Sequence, residues 1–333
     1  ANPMNYFRGN DPLRQDIEAI DEMLSGSTTV EFLVTAPDRG LTDRDKLERL
    51  DRFERFLEQQ PAVMQVFSIV DALKEYQRVK DPEGKAELPH QRRISVIIKG
   101  MMRASPADMN TLVQDDFSIG RITARIRLAD ADQLTPRIPA IDAKLAEEFG
   151  DKSDLHVEGT GFIKLISAMQ DYLVSSQLKS LPTAALTISL MMMVLLRSWK
   201  LGFLAMVPNL VPIAIGMAIM SLLDIRLDPG TVMTATVAIG LVVDDTAHFL
   251  VHLRDQTDPH AKIEERISQT MLVAGSPIIA TSLILIAGFM ALTLGSFNPT
   301  VYFGVITAMV IGIAVICDLI ITPAILVVLQ PKL

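Results

Sequence analysis

The sequence predicts an α+β domain followed by a bundle of five membrane-spanning helices. Residues 1–175 are rich in charged side chains and show the patterns of alternating strands and helices. Residues 176–333 consist mainly of long apolar runs, and most charged residues there lie in the short gaps between these runs. The mean hydropathy of the whole 333-residue chain is +0.32, which is high for a soluble protein of this size.

The first 175 residues contain two similar successions of strand, helix and strand. Alternating apolar residues predict strands at 28–36, 62–69, 119–129 and 154–158. Helical spacing predicts helices at 42–59, with Thr42 or Asp43 as N-cap, and at 70–79, 134–149 and 160–180, with helical pieces broken near Pro106 in between. This order predicts a ferredoxin-like, split βαβ domain, and another α+β sandwich is the alternative. No catalytic set of residues stands out in this half.

Five apolar segments are long enough to span a bilayer, which takes about 20 helical residues. They lie at about 178–196, 201–223, 232–252, 271–294 and 301–329. Lysine and arginine concentrate in alternate gaps, which predicts that those gaps are cytoplasmic and that residues 1–175 are extracytoplasmic. Because the polar start of the chain is not a signal peptide, we expect a further transmembrane helix upstream of Ala1.

Composition excludes some classes of function. The net charge of −8 leaves no basic stripe for binding nucleic acid. The single cysteine, Cys317, excludes an intramolecular disulfide. No cluster with metal-ligand spacing is present in the sequence, so we expect neither a metal nor another cofactor.

The third apolar segment contains AIGLVVDDTAHFLVHL, residues 238–253, in which charged residues interrupt a membrane helix. At about 100° per residue, Gly240, Asp244 and His248 share one face, and Asp245 lies one step round it. A charged residue near the bilayer centre costs about 2.5–3.5 kcal/mol, so such side chains must face protein or water. We expect Asp244, Asp245 and His248 to relay protons, with Gly240 allowing close helix packing beside them.

Each of these residues also has a structural interpretation. The Asp pair could join helices through polar contacts, and His248 could serve only to orient a carboxylate. His252 lies near the cytoplasmic end of the helix, where an interfacial position is favoured. Other polar side chains inside the spans either extend the relay or make ordinary interhelical hydrogen bonds, namely Asp318, Thr281, Ser282 and Asn209.

Several motifs together resemble one family. The second span contains PNLVPI, the third GLVVDDTAHF and the fifth ends in TPAILVVL, after a large extracytoplasmic domain that leads directly into the membrane. This arrangement is similar to the carboxy-terminal half of resistance–nodulation–division (RND) transporters. The lipid-exporting branch is the most similar, with the mycobacterial large membrane proteins and the hopanoid and sterol exporters.

The resemblance implies a proton-driven exporter of a membrane lipid or other hydrophobic substrate in the bacterial inner membrane. It implies that Asp244 is the relay aspartate, that His248 is a histidine common in this branch, and that Asp245 replaces a tyrosine found in many relatives. It also implies a missing amino-terminal half with a matching aspartate. Further partners of such proteins are a second copy of the chain or a periplasmic lipid-binding protein.

Two other functions remain open from the sequence. A lipid-sensing or scaffold protein would have the same architecture without pumping. An intramembrane aspartyl protease would need two aspartates on separate helices, for which Asp244 and Asp318 are candidates, although a G-x-G-D motif is lacking.

Overall fold

The computed structural model describes residues 3–80, 87–150, 154–225, 227–255 and 262–330. Contacts divide the chain into two compact units, Ala1–Met169 and Gln170–Leu333. The division lies close to residue 175, where the composition of the sequence changes.

A four-stranded antiparallel sheet forms the centre of the first unit. Its strands are β1 (Thr28–Thr35), β2 (Val63–Phe67), β3 (Ile119–Ile126) and β4 (His156–Thr160), in the spatial order β2-β3-β1-β4. All four strands coincide with predicted ones. However, β3 ends at Ile126 rather than at 129, and β4 begins at His156 rather than at 154. In β1 the side chains of Val30, Phe32 and Val34 are buried, because successive side chains of a strand point to opposite faces.

Seven α-helices accompany this sheet among the described residues of the first unit. Asp43 begins α2, since its carboxylate accepts a hydrogen bond from the Asp45 amide at 2.9 Å. Helix α1 was not predicted, although Asp11 and Pro12 form an N-cap and a proline at the first helical position. The helices are α1 (Pro12–Leu24), α2 (Arg44–Glu58), α3 (Ile69–Lys80), α4 (Gln91–Ala104), α5 (Pro106–Met109), α6 (Ala131–Leu134) and α7 (Ile138–Phe149).

Aromatic side chains form the middle of the first unit's core. Phe53 of α2 is fully buried. It makes edge-to-face contacts with Phe32 and Phe149, with ring centroids 5.2 and 5.7 Å apart. Such contacts contribute about 0.5–1.5 kcal/mol beyond burial of the rings. They join the sheet to α2 and α7.

Acidic side chains are buried between α2 and α3. The carboxylate of Asp51 accepts hydrogen bonds from Lys74 and Arg55. Glu54 is 2% exposed, and neither of its carboxyl oxygens has a hydrogen-bond partner among the described residues. Burial, reinforced by the nearby Asp71, raises the pKa of Glu54 well above its usual value. Burial also raises the pKa of Asp71 to about 6.

Among the described residues, five helices are long and apolar enough to cross a membrane. They are the first span (Phe162–Leu196), the second (Trp199–Leu222), the third (Pro229–Arg254), the fourth (Ile263–Leu294) and the fifth (Asn298–Leu329). Large apolar side chains on their outer faces are exposed, among them Met191 and Ile284. A bilayer would cover these faces. The predicted membrane half is therefore confirmed as a set of candidate spans.

Two of these helices are irregular. The second span is interrupted at Ala205, between Trp199–Leu204 and Met206–Leu222. The fifth contains a π-helical turn at Cys317–Ile321, a feature that often occurs at functional sites.

Candidate functional site

The candidate site is centred on the third span, where Asp244, Asp245 and Thr246 follow one another. This helix begins with a capping box, in which Asp228 Oδ1 accepts from the Thr231 amide at 2.8 Å and the Thr231 hydroxyl accepts from the Asp228 amide. Consecutive residues of an α-helix point about 100° apart. The three side chains therefore face three different directions, and the structure gives each one different neighbours.

Asp244 and His248 form a pair on the exposed face of the third span. Nε2 of His248 lies 3.5 Å from Oδ1 of Asp244, and the two side chains are 67% and 74% exposed. Gly240 lies on the same face, where an added Cβ would meet nothing within 4 Å among the described residues. The predicted pairing of Asp244 with His248 is thus present, whereas the described residues supply no helix packed against Gly240.

Asp245 faces the fourth span. The buried Ser282 hydroxyl donates a hydrogen bond to Asp245 Oδ2 at 2.9 Å. The neighbouring Thr281 hydroxyl bonds to carbonyls of its own helix, those of Pro277 and Ile278, and its side chain also interacts with the Asp245 carboxyl. Both predicted residues therefore lie beside Asp245.

Thr246 faces the second and fifth spans. Its Oγ1 lies 3.0 Å from Oδ1 of Asn209 and 2.6 Å from Oδ1 of Asp318. All three side chains are at most 1% exposed. The second, third and fifth spans are thus joined at one buried polar point, which we call the Thr246 triad (Asn209, Thr246 and Asp318).

Asn209 and Asp318 were predicted separately from the sequence, whereas Thr246, which connects them, was not predicted. The signal was present, because Thr246 directly follows the Asp pair and interrupts an apolar face. His252 is exposed, as an interfacial position would allow. It makes no hydrogen bond or ion pair that would link it to Asp244 among the described residues.

The site combines carboxyl, imidazole, hydroxyl and amide groups, all of which can donate or accept hydrogen bonds. In the described part of the chain, no group of three or more His, Cys, Asp or Glu side chains could hold a metal ion. Asp244 and Asp318 lie on different sides of the third span, since Asp318 contacts Thr246, two residues and about 200° away from Asp244. These two carboxyls therefore do not form the shared pair of an aspartyl protease.

An apolar cavity of about 110 Å³ lies in the second unit. It is bounded by the first, second, third and fifth spans, and its lining includes Leu178, Met217, Ala238 and Val310. The polar residues in the described part of its lining are Gln177, Thr231 and Thr234. The lining suits a hydrocarbon group better than a polar one.

Comparison with known proteins agrees with this architecture. A model of the MMPL family matches residues 10–332. The chain is also 21% identical, over 232 residues, to "Putative membrane protein MJ1562" of Methanocaldococcus jannaschii. That match covers 69% of this chain and 60% of the archaeal protein, so the chain spans less than two thirds of its relative. With five candidate spans and a family match over nearly its whole length, the chain belongs to the MMPL family of membrane transporters, which are members of the RND superfamily.

Proposed function

We propose that the chain is part of a proton-driven exporter of a lipid or another hydrophobic substrate. In this proposal Asp244, Asp245 and His248 relay protons across the membrane unit. Residues 1–175 form a periplasmic domain of the ferredoxin-like type, and the protein lies in the bacterial cytoplasmic membrane. The antiparallel order β2-β3-β1-β4, with a helix in each βαβ unit, supports the domain type.

The observation that supports this function best is the Asp244–His248 pair on an exposed face of a membrane helix. At about 1.5 Å per residue, Asp244 lies roughly 22 Å from the start and 15 Å from the end of the third span, near the middle of a 30 Å hydrocarbon layer. Charged side chains there are unstable against lipid tails. A hydrated passage or further polar helices must therefore cover this face.

Family membership supports a second set of membrane helices that covers the exposed face of the third span. The chain spans 60% of its archaeal relative, so a related protein has additional sequence to supply such helices. We propose that the cover carries an acidic residue opposite Asp244, either within the same polypeptide or in a separate subunit. A second copy of the chain and a periplasmic lipid-binding protein are further proposed partners.

The apolar cavity supports a hydrophobic substrate. Its volume of about 110 Å³ accepts a segment of an acyl chain or an edge of a ring system rather than a whole lipid. None of the described residues that line it carries an ion-pairing group, which argues against a charged substrate.

Transport across a controlled pH gradient tests the proposal. The complete protein is reconstituted in vesicles with candidate fluorescent lipids, and export is measured before and after an uncoupler is added. We expect Asp244→Asn to abolish export while the protein stays folded, and Asp255→Asn, the same change at an exposed site beyond the end of the third span, to preserve it. Export that survives Asp244→Asn or collapse of the gradient would exclude the mechanism. Lipid binding that is unaffected by pH and by Asp244→Asn, without export, would favour a lipid sensor.

A further inference from the structure

The Thr246 triad contains a chain of three oxygen atoms that is isolated from solvent. Asn209 and Thr246 are completely buried, and Asp318 is 1% exposed. The two O–O separations, 3.0 and 2.6 Å, are both within the hydrogen-bond range. Each contact therefore needs one hydrogen atom between its oxygens.

The amide of Asn209 has a fixed orientation. Its Nδ2 donates to the carbonyl oxygen of Ala205 at 2.5 Å. With the amide reversed, two carbonyl oxygens would face each other at that distance, which is repulsive. Oδ1 of Asn209 therefore points to Thr246, and a carbonyl oxygen can only accept a hydrogen bond.

If both contacts are hydrogen bonds, the number of available hydrogens determines the protonation state of Asp318. The Thr246 hydroxyl has a single proton, which can satisfy only one of the two contacts. If Thr246 donates to Asn209, the 2.6 Å contact needs a proton on Asp318, whose acid O–H then donates to Thr246 Oγ1. This separation is normal for an acid O–H donor.

The surroundings of Asp318 agree with a neutral acid. Its second oxygen, Oδ2, has no hydrogen-bond partner, and no ion pair involves Asp318 among the described residues. The titratable groups near it are Asp245, on the third span, and Cys317, which precedes it in the fifth. Nothing described there would balance a negative charge, and an isolated buried carboxylate is very costly.

We propose that Asp318 holds a proton in the resting protein and forms a second proton site, separate from the Asp244–His248 pair. When water admitted to the triad takes this proton, the Thr246 hydroxyl turns from Asn209 to the new Asp318 carboxylate. The hydrogen bond between the second and third spans is then lost, while that between the third and fifth remains. Loading and release of one proton thereby change how the second span is held.

Infrared spectroscopy of the purified protein in nanodiscs tests the resident proton without any transport. We expect the wild type to show the C=O stretching band of a protonated acid that Asp318→Asn lacks and Asp244→Asn retains. The amide that Asp318→Asn introduces can replace the acid as donor to Thr246, so this variant should fold. Loss of a carboxylate band instead of an acid band in Asp318→Asn would overturn the proposal.

A second pair of variants examines the hydrogen bond and keeps Asp318 itself unchanged. Thr246→Val removes the acceptor of the acid proton and should shift the acid band, whereas Thr246→Ser should leave it in place. An unshifted band in Thr246→Val would contradict the geometry. A band that disappears when sodium chloride replaces choline chloride would show a cation site and would also overturn the resident proton.

The role of this site in transport rests on the proposed function. Different results would contradict the proton site and the proposed function. If export proves independent of the proton gradient while the Asp318 band is present, the proposed function fails and the proton site stands. If export depends on Asp244 but the Asp318 band is absent, the proton site fails and the proposed function stands.

Discussion

The two units hold their buried acids by different means. In the first unit, Lys74 and Arg55 hold the buried Asp51, and the backbone amides of Ser27 and Ala129 donate to the buried Asp21. In the second unit, Asp245 and Asp318 contact hydroxyl groups, those of Ser282 and Thr246. A cation fixes a carboxylate in its charged form, whereas a hydroxyl can donate to the charged form and accept from the neutral one. The first arrangement suits a permanent charge, and the second suits a group that gains and loses a proton.

Among the variants that test this comparison, Lys74→Met should cause the largest loss of stability. The change leaves the buried Asp51 and Glu54 and the half-buried Asp71 with one cation fewer, and breaking a buried ion pair costs about 3 kcal/mol. Unfolding of the purified protein, followed by hydrogen exchange of α2 and α3, measures the loss. Arg78→Met, at an exposed pair with Glu75 on α3 itself, should leave stability almost unchanged. Equal losses in the two variants would show that the buried cation has no special role.

The second unit should depend more on close packing than on charge. A Cβ added at Gly304 would lie 2.5 Å from the Phe289 carbonyl oxygen and 2.8 Å from Leu292 Cβ, so the fourth and fifth spans would have to separate. We expect Gly304→Ala to cost about 2 kcal/mol, measured by thermal denaturation in detergent. Gly288→Ala, where the added Cβ meets nothing within 4 Å among the described residues, is the matched control. Destabilisation of both variants alike would point to helix flexibility instead of contact.

Glu54 differs from Asp51, because it is buried and forms no ion pair with a cation among the described residues of the first unit. A carboxyl group with a raised pKa in the folded protein binds its proton more tightly there. Stability therefore falls as pH rises from the unfolded pKa of about 4.3 through the folded value. Glu54→Met should stabilise the unit by about 1 to 2 kcal/mol at pH 8 and by less at pH 5.

Melting curves of wild type and Glu54→Met across this pH range test the prediction, with Glu58→Met as the control at the end of the same helix. Part of the pH dependence should remain in Glu54→Met, since burial raises the pKa of Asp71 to about 6. A wild type whose stability rises between pH 5 and 8 would contradict the assignment.

The smallest loss of stability is expected from a change at the start of the third span. Asp228→Ala removes the side chain that accepts from the Thr231 amide, and loss of an N-cap costs about 1 kcal/mol. We expect faster hydrogen exchange in the first turn of the span, which measures this loss of stability. Asp255→Ala, at the other end, should leave that turn unchanged. Protection that is identical in Asp228→Ala and wild type would mean that packing alone fixes this helix end.

Patterns within one element were predictable from the sequence. Alternation located β1, hydropathy located the spans, and the spacing of Asp244 and His248 placed them on one face. The Thr246 triad was not predictable, because it depends on which spans pack together. The π-helical turn at Cys317–Ile321 has no pattern in a single sequence that would locate it. Helix α1 could have been found from Asp11 and Pro12, which are an N-terminal signal rather than a periodicity.

The adjacent side chains Asp244, Asp245 and Thr246 make the length of the third span a constraint on its evolution. Deleting one residue between Pro229 and Val243 would turn the following helix by about 100° and give each of these side chains its neighbour's surroundings. A seven-residue insertion would restore the angle to within about 20°, but would displace the group by roughly 10 Å along the axis. We therefore expect natural homologues to tolerate replacements in this segment far more readily than gaps.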